Sequence, residues 1–304
     1  MPAFACPRDK HILQQKSDVL TCSHCASEFP IINGVPILIN DENSVFRIAD
    51  YTGQNTYCGA SDYGGSADKS TGLKAAYRKI VRTLTESRVI GFSFNAIDVI
   101  MAEIPHGQFL VIGSGEKQYK GQFIYTDVAF ARNITCICDA HDLPFLDATF
   151  DAVIAESVLE HVCDPQRCVA EISRVLKPNS YVMAMTPFLQ PVHMGAHDFT
   201  RFTFLGHRRL FRYYDEIHSG MCGGTLYSLT HLIKHIMICL SDKPTMQSIL
   251  YLLGLTLTYP LQYFDKLFSR TDAAFNAGCA FYFLGRKRAT PISDRDIIGM
   301  FRGR

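Results

Sequence analysis

The chain of 304 residues is 47% hydrophobic, which is enough to bury a sizeable core and excludes a mainly disordered protein. Its 30 basic and 29 acidic side chains give a formal charge of +1. No overall field therefore draws the chain to nucleic acid or to an anionic membrane, and no nucleic-acid partner is expected.

The first residues and the cysteines indicate a cytoplasmic setting. The opening sequence, MPAFACPRDKH, lacks the long apolar core of a secretory signal. The 11 cysteines are irregularly spaced and do not form the pattern of a disulfide framework. We expect a reducing, cytoplasmic environment.

Residues 1–40 form a small cysteine-bearing unit. Cys6 is followed by Cys22 and Cys25, which are spaced as Cys-Ser-His-Cys. Two cysteines separated by two residues can grip one metal ion, and a full tetrahedral site needs four ligands. The unit closes on FPIINGVPILIN, where Asn33-Gly34 between two β-branched runs predicts a hairpin.

Residues 41–104 are predicted to be a linker followed by a helical or lid segment. The stretch 50–72 is polar and rich in glycine. From residue 73, LKAAYRKIVRTLTESRVI has apolar residues at helical spacing.

Residues 105–215 alternate between strand and helix patterns. Strands are predicted at 109–112, 122–126, 134–138, 150–155 and 181–186, and helices at 156–162 and 165–177. Such alternation predicts an α/β fold, a doubly wound and mostly parallel Rossmann-like sheet. Ligands of such sheets lie beyond the carboxyl ends of the strands.

Polar residues follow the predicted strands at that edge. Gly113-Ser114-Gly115 ends the first strand, and Asp127, Asp139 and Glu156 end the next ones. A carboxylate can accept hydrogen bonds from both hydroxyls of a ribose. Each acid alone is more often a loop cap, but together they indicate one nucleoside-shaped ligand.

Five linked motifs in residues 138–188 resemble class I S-adenosylmethionine-dependent methyltransferases. They are Asp139, Leu143-Pro144-Phe145, Phe150-Asp151-Ala152-Val153, Leu159-Glu160-His161 and Arg174-Val175-Leu176-Lys177-Pro178. The resemblance implies S-adenosylmethionine as cofactor. It places the methionine part at Gly113, Ser114 and Gly115, the ribose at Asp127, the adenine at Asp139, Ala140 and His141, and the sulfonium near Glu156 and Ser157.

The sequence departs from that family in two places. Most members carry an acid just before the first glycine, where this chain has Val111-Ile112. Gly115 and Asp127 are also so close in sequence that the usual helix between the first two strands does not fit. We therefore expect an abbreviated first crossover.

Residues 187–211 resemble a bacterial subgroup associated with sugar and glycan pathways, by a Pro-Phe, a His and an Asp-x-x-Arg-x-Thr segment. His193, His197 and Asp198 can supply a base for a hydroxyl acceptor. Arg201 can hold an anionic group of the acceptor, or it can instead form an ion pair with Asp198. His207, Arg208 and Arg209 are interpreted as a solvated basic edge.

The amino-terminal unit resembles the zinc-ribbon-like module of the tRNA-methyltransferase activator family. Asp9 stands where that module normally has its second cysteine. The resemblance implies zinc held by Cys6, Asp9, Cys22 and Cys25, with His11 or His24 as alternative ligands. Loss of the metal with retention of the fold is the other interpretation.

Residues 216–304 are predicted to be a helical substrate-region extension with a carboxyl-terminal tail. Its apolar runs, 226–240 and 249–264, are each interrupted before they reach the length of a membrane span. They predict buried or amphipathic helices, with peripheral membrane contact as the alternative.

The sequence favours methyl transfer to a small-molecule, sugar or glycolipid acceptor, as an O-methylation. A catalytically inactive binding or scaffold protein with the same fold is the alternative. A nicotinamide-dependent oxidoreductase is disfavoured because Gly113-Ser114-Gly115 is not followed by the third glycine of the Gly-x-Gly-x-x-Gly dinucleotide-binding fingerprint. The sequence does not indicate the oligomeric state.

Overall fold

The computed structural model describes residues 3–52, 72 and 94–303. The glycine-rich segment predicted at 50–72 and the helix predicted from residue 73 lie almost wholly outside these residues. The strands are β1 (Leu13–Lys16), β2 (Val19–Cys22), β3 (Glu28–Ile32), β4 (Val35–Leu38), β5 (Phe109–Ile112), β6 (Phe123–Asp127), β7 (Cys136–Cys138), β8 (Phe150–Glu156), β9 (Leu176–Pro187), β10 (Tyr214–Met221) and β11 (Ala280–Lys287).

These strands form one sheet in the order β1-β2-β3-β4-β7-β6-β5-β8-β9-β11-β10. Neighbouring strands from β4 to β9 are parallel, and the pairs at both ends of the sheet are antiparallel. The α/β Rossmann-like fold is confirmed, with a sheet that is parallel in its centre and mixed as a whole.

The central strands are buried on both faces. Leu110 and Ile112 of β5 pack into one apolar cluster, while Phe109 and Val111 pack into another on the opposite face. Alternate residues of a strand point to opposite faces, so a strand covered on both sides must be apolar throughout. This explains the unbroken FLVI run.

The amino-terminal unit ends in the predicted hairpin. Asn33 and Gly34 have φ values of +52° and +80°, the left-handed conformation that a two-residue type I′ turn requires. β4 then pairs in parallel with β7, Ile37 opposite Ile137. The small unit is therefore joined edge to edge to the central sheet.

The first crossover is abbreviated, as predicted. Residues 113–122, all of them described, contain no helix, yet β5 and β6 are parallel neighbours with Leu110 opposite Ile124. The chain returns to the start of β6 through turns alone. The edge of the sheet near Gly115 is consequently free of a covering helix from this connection.

The described residues contain the helices α1 (Ala49–Thr52), α2 (Ala96–Glu103), α3 (Pro165–Val175), α4 (Phe204–Leu210), α5 (Thr225–Ile238), α6 (Pro244–Thr258), α7 (Asp265–Phe268) and α8 (Asp294–Gly299). α3 confirms the helix predicted from residue 165. Asp164 caps it by accepting from the Arg167 N–H. The helix predicted at 156–162 is wrong, because β8 runs to Glu156 and Ser157 then takes a left-handed φ of +57°.

The predicted domain boundary between residues 215 and 216 falls inside β10. β10 pairs with β11, which in turn pairs with β9, so the sheet continues into the predicted helical extension. The two strands are separated in sequence by α5, α6 and α7.

Exposed apolar side chains run along α5 and α6, which pack against each other. They include Leu229, Leu232 and Ile236 of α5, and Ile249, Leu253 and Leu257 of α6. Within the ranges that the structure describes, no helix has the length and apolarity needed to cross a membrane.

Membrane-surface contact stays a prediction. The chain should co-sediment with phospholipid vesicles, and a variant with both Leu253→Asp and Leu257→Asp should not. Failure of the unmodified chain to co-sediment would remove the idea.

His207 and Arg208 are buried, so their interpretation as part of a solvated edge is wrong. The guanidinium of Arg208 donates to the carbonyl oxygens of Phe211 and Tyr214, each at 2.8 Å. These carbonyls lie at the end of α4 and the start of β10, and they compensate the burial of the charge. Only Arg209 of the three stays exposed.

Candidate functional site

A cavity of about 250 Å³ opens at the edge of the sheet where the strand order reverses. From β5 the chain runs through β6 and β7 on one side, and then crosses to β8 and β9 on the other. Ligands of open α/β sheets bind at such a reversal, outside the carboxyl ends of the strands. The segments that follow β5, β6, β7 and β8 all contribute to the lining.

Gly113 and Gly115 line this cavity with left-handed backbone, at φ values of +60° and +51°. A Cβ on Gly113 would lie 2.5 Å from Cγ2 of Val158, so this position has no room for a side chain. A Cβ on Gly115 would meet nothing within 4 Å. The side chain of Ser114 is buried, and Ser114 is absent from the described residues that line the cavity.

Asp127 lies at the end of β6 and lines the cavity. Its Oδ2 accepts from the Gly115 N–H at 2.8 Å, and its Oδ1 accepts from the Ala129 N–H at 3.1 Å. Burial raises the pKa of Asp127, because removal from water disfavours the charged form. Each carboxylate oxygen has a second lone pair, so Asp127 can still accept from a ligand in the cavity.

Asp139 and His141 form a hydrogen-bonded pair at the end of β7. Oδ1 of Asp139 lies 2.6 Å from Nδ1 of His141, and Oδ2 accepts from the Ser44 hydroxyl at 2.5 Å. Burial alone would raise the pKa of Asp139, but the hydrogen bonds from His141 and Ser44 lower it. Nε2 of His141 accepts from the Asp164 N–H at 3.0 Å. Asp139 therefore fixes the orientation of a ring that lines the cavity together with Ala140.

Ser157 and Glu156 lie on different sides of the end of β8. Ser157 lines the cavity, and its left-handed φ is uncommon for a residue other than glycine. Glu156 is absent from the described residues that line the cavity. Its Oε2 instead accepts from Nζ of Lys117 at 2.6 Å and from the hydroxyl of Tyr119 at 3.2 Å.

Asp198 and Arg201 form the ion pair that the sequence left as an alternative. Arg201 contacts both carboxylate oxygens of Asp198. Its other N–H groups donate to the carbonyl oxygens of Gln190, Pro191 and Thr200. Nη2 also lies 3.3 Å from Nδ1 of His193. All five N–H groups of the guanidinium are thus used within the loop, and Arg201 has none left for an acceptor.

The two predicted histidines of this loop are placed differently. His193 lines the cavity, and its backbone N–H donates to Oδ2 of Asp198 at 2.7 Å. His197 stacks its ring on Phe46 at a centroid distance of 5.8 Å and is absent from the described lining. The structure therefore brings His193, and not His197, to the predicted cofactor residues.

Glu160, His161 and His193 converge beside the cavity. Glu160 is fully buried, and neither carboxylate oxygen accepts a hydrogen bond from another residue of the described chain. Burial raises the pKa of Glu160 to about 7. Burial also lowers the pKa of both His161 and His193, which favours neutral imidazoles.

The four predicted ligands of the amino-terminal unit lie together. Their ligand atoms, from Cys6, Asp9, Cys22 and Cys25, are all within 4.8 Å of one another. Sγ of Cys6 lies 3.6 Å from Sγ of Cys25, and Sγ of Cys22 lies 3.4 Å from both carboxylate oxygens of Asp9. His11 and His24 form a second group with Asp9.

Sequence reasoning missed several cavity residues. Val45 and Phe46, from the predicted linker, line the cavity, as do Val158, Val162 and Met194. No sequence signal indicates the first two, because they come from a segment with no motif. Glu160 and His161 were noted only as part of a family motif, and that motif was the one signal available for them.

Comparison with known families gives a match to part of the chain. Residues 120–184 match the family model described as Methyltransferase domain. The matched segment runs from just before β6 to near the end of β9, and it contains Asp127, Asp139 and Ser157. The predicted resemblance to methyltransferases is confirmed over this segment.

Two curated relatives are similar to this chain over part of its length. The ubiquinone/menaquinone biosynthesis C-methyltransferase of Ralstonia nicotianae is 41% identical over 51 residues, which cover 17% of this chain and 21% of the relative. The protein of the same name from Desulfotalea psychrophila is 33% identical over 107 residues, covering 34% and 39%. The chain thus spans well under half the length of either relative.

Solved structures of methyltransferases are also similar. The 1,6-didemethyltoxoflavin-N1-methyltransferase of Burkholderia thailandensis, solved with 1,6-didemethyltoxoflavin and S-adenosylhomocysteine, is 10% identical to this chain. The similarity covers 91% of this chain and 99% of that one, with a TM-score of 0.42. A likeness at this level carries no argument about function.

Proposed function

We propose that the chain is an S-adenosylmethionine-dependent methyltransferase that binds its methyl donor in the cavity at the carboxyl ends of β5 to β8. One observation supports this proposal above all: the same cavity is lined by Gly115, Asp127, His141 and Ser157. Three of these four residues lie inside the segment that matches the methyltransferase family.

The residues present fit the parts of this cofactor. Gly115 leaves open space where any side chain would project, which suits the methionine part. Asp127 keeps lone pairs for the ribose hydroxyls, and Ala140 and His141 offer an edge for the adenine. When bound, the cofactor supplies an electrophilic methyl group. The chain itself must hold the acceptor in line and exclude water.

The acceptor is proposed to approach from the side of His193 and Met194. These residues lie on the loop after β9 and line the cavity together with Ser157. We propose a small-molecule, sugar or glycolipid hydroxyl as the acceptor. The names of the curated relatives describe C-methylation, so identification of the methylated atom in the product distinguishes oxygen from carbon.

A catalytically inactive binding protein is the second candidate. It is favoured by Val111-Ile112, which stand where most members of the resembled family have an acid. Such a protein could bind the cofactor but would not transfer its methyl group. Methyl transfer to a panel of acceptors, corrected for spontaneous breakdown of S-adenosylmethionine, separates the two candidates. The enzyme transfers the methyl group to at least one acceptor, and the binding protein to none.

A pair of glycine variants tests the location of the cofactor site. Gly115 and Gly34 both have positive φ, and a Cβ on either would meet nothing within 4 Å. Alanine at either position should cost about 1–2 kcal/mol of folding free energy, because left-handed backbone disfavours a side chain. Only Gly115→Ala should also weaken S-adenosylhomocysteine binding, measured by equilibrium dialysis. Equal affinity in the two variants would contradict the proposed location.

We also propose that residues 1–40 bind a structural zinc ion through Cys6, Asp9, Cys22 and Cys25. Two thiolates of one Cys-x-x-Cys segment, a third thiolate and a carboxylate form a four-ligand set of the kind zinc accepts. Cys25→Ser should lower the zinc content of the purified protein by about one ion per chain. Cys239→Ser, at an exposed cysteine outside the cluster, is the matched control. Unchanged zinc content in Cys25→Ser would exclude this site.

A further inference from the structure

Glu160 is a buried carboxylate beside the cavity whose burial is not compensated by hydrogen bonds from other described residues. Its side chain is fully buried, and neither carboxylate oxygen has a hydrogen-bond partner in the part of the chain that the structure describes. A buried polar group without a partner destabilises the folded state, and a charged one does so more strongly. The fold is therefore expected to supply a compensating group at this position.

Two imidazole nitrogens face the unpartnered carboxylate. Nε2 of His161 lies 3.7 Å from Oε1 of Glu160, and Nε2 of His193 lies 3.8 Å from the same oxygen. The three ligand atoms are all within 4.8 Å of one another. Tetrahedral zinc with bonds of about 2.0–2.1 Å separates its ligand atoms by about 3.4 Å. Small side-chain shifts would bring all three into bonding range.

The opposite nitrogen of each imidazole is held by the protein. Nδ1 of His161 lies 2.8 Å from the carbonyl oxygen of His197, to which it can only donate. Nδ1 of His193 lies 3.4 Å from Oδ2 of Asp198. Nη2 of Arg201 also lies 3.3 Å from this nitrogen, but its two N–H groups make the shorter contacts to Asp198 at 2.6 Å and to the Pro191 carbonyl oxygen at 3.0 Å. An N–H on Nδ1 of His193, directed at Asp198, is therefore the complementary arrangement. Both Nε2 lone pairs are then free, as in histidines that bind metals with outer carbonyl or carboxylate partners.

We propose that Glu160, His161 and His193 bind one divalent transition-metal ion at the acceptor side of the cavity. Two imidazoles and one carboxylate are a zinc ligand set that leaves a coordination position open. His161 and His193 both line the cavity, so the open position faces it. In this arrangement His193 acts as a ligand and not as a base.

The ion also narrows the class of acceptor, and this part rests on the proposed methyl transfer. A molecule with a hydroxyl or carboxylate oxygen can occupy the open position and be held beside the methyl donor. An acceptor that presents only apolar carbon at that point gains nothing from the ion. Oxygen-bearing small molecules are therefore the acceptors that this site selects.

Cobalt(II) is the probe that separates this site from the amino-terminal cysteines. Cysteine-bound cobalt gives intense thiolate charge-transfer absorption, whereas a carboxylate and two imidazoles give only weak ligand-field bands. The full chain carrying Cys22→Ser and Cys25→Ser is titrated with cobalt, and zinc is then added to displace it. We expect this variant to show ligand-field bands without charge transfer.

Further changes in that background assign the ligands. Glu160→Gln and His193→Gln should each weaken cobalt binding by more than about 100-fold, beyond the range that outer-shell changes produce. His197→Gln, in the same loop but outside the cluster, should bind cobalt as the background does. Circular dichroism on each variant checks the fold. His193 is only partly buried, so His193→Gln keeps the test informative if Glu160→Gln fails to fold.

Two outcomes overturn the proposal: absence of cobalt bands in the double-cysteine variant, or equal cobalt affinity in His193→Gln. S-adenosylmethionine binding is measured on the same preparations with a chelator present. Loss of cobalt binding with intact cofactor binding refutes only the metal site. The reverse result refutes the proposed methyl-donor cavity and leaves the metal site standing.

Discussion

Asp127→Ala is expected to weaken S-adenosylmethionine binding by about 100-fold or more. Hydrogen bonds to a charged group contribute roughly 1.5–3 kcal/mol each. Loss of two such bonds to the ribose hydroxyls gives at least about 3 kcal/mol, or about two factors of ten in the dissociation constant. The variant also removes the acceptor of the Gly115 N–H, which loosens the loop that faces the ligand.

Asp151→Ala is the matched control for this variant. Asp151 also lies on a strand of the central sheet, and its carboxylate also accepts from a backbone N–H, that of Gln108 at 2.9 Å. It pairs with Lys177 at 2.8 Å and is absent from the described residues that line the cavity. We expect Asp151→Ala to lower stability without changing cofactor affinity. If both variants bind with the affinity of the unmodified chain, Asp127 is not the ribose ligand.

His207→Leu is expected to make the protein markedly more resistant to acid. Burial lowers the pKa of His207 from 6.5 to about 3, and Nε2 has no partner among the described residues. Below pH 6.5 the unfolded chain gains a proton at this histidine while the folded chain stays neutral. Stability from the neutral ring is therefore complete above pH 6.5 and declines as the pH falls towards 3.

The size of this effect follows from the interval between the two pKa values. At pH 4 the unmodified chain should have lost about 3 kcal/mol through His207, at about 1.4 kcal/mol for each pH unit. Urea unfolding at pH 7 and pH 4 measures the loss, which should be smaller by that amount in His207→Leu. His106→Leu, at an exposed histidine, should behave as the unmodified chain. The same acid loss in both variants would contradict the account.

Local rules predict which residues lie at the carboxyl edge of the parallel strands. The run FLVI must be a doubly buried strand, and the carboxyl ends of parallel strands meet at one edge. Gly113, Gly115, Asp127 and Asp139 follow from those two facts and the motif spacing. Glu156 is absent from the described lining that includes Ser157, because successive side chains of a strand point to opposite faces.

The other features of the fold and of the site depend on contacts between segments far apart in sequence, and no local sequence pattern encodes such contacts. The sequence alone suggests a surface position for Arg208. Its guanidinium is buried because the fold brings the carbonyl oxygens of Phe211 and Tyr214 to it as acceptors. Phe46 reaches the cavity only because its segment crosses the ends of the strands. β10 and β11 pair across three intervening helices, and short apolar runs far apart in sequence do not identify their partners.

Calorimetric titration of S-adenosylmethionine into the full chain tests the central claim most directly. The account predicts saturable heat from a single site per chain, competition by S-adenosylhomocysteine, and loss of that heat in Asp127→Ala but not in Asp151→Ala. Absence of heat from the folded, unmodified chain, together with no competition by S-adenosylhomocysteine in equilibrium dialysis, would contradict the assignment of the cavity to a methyl donor.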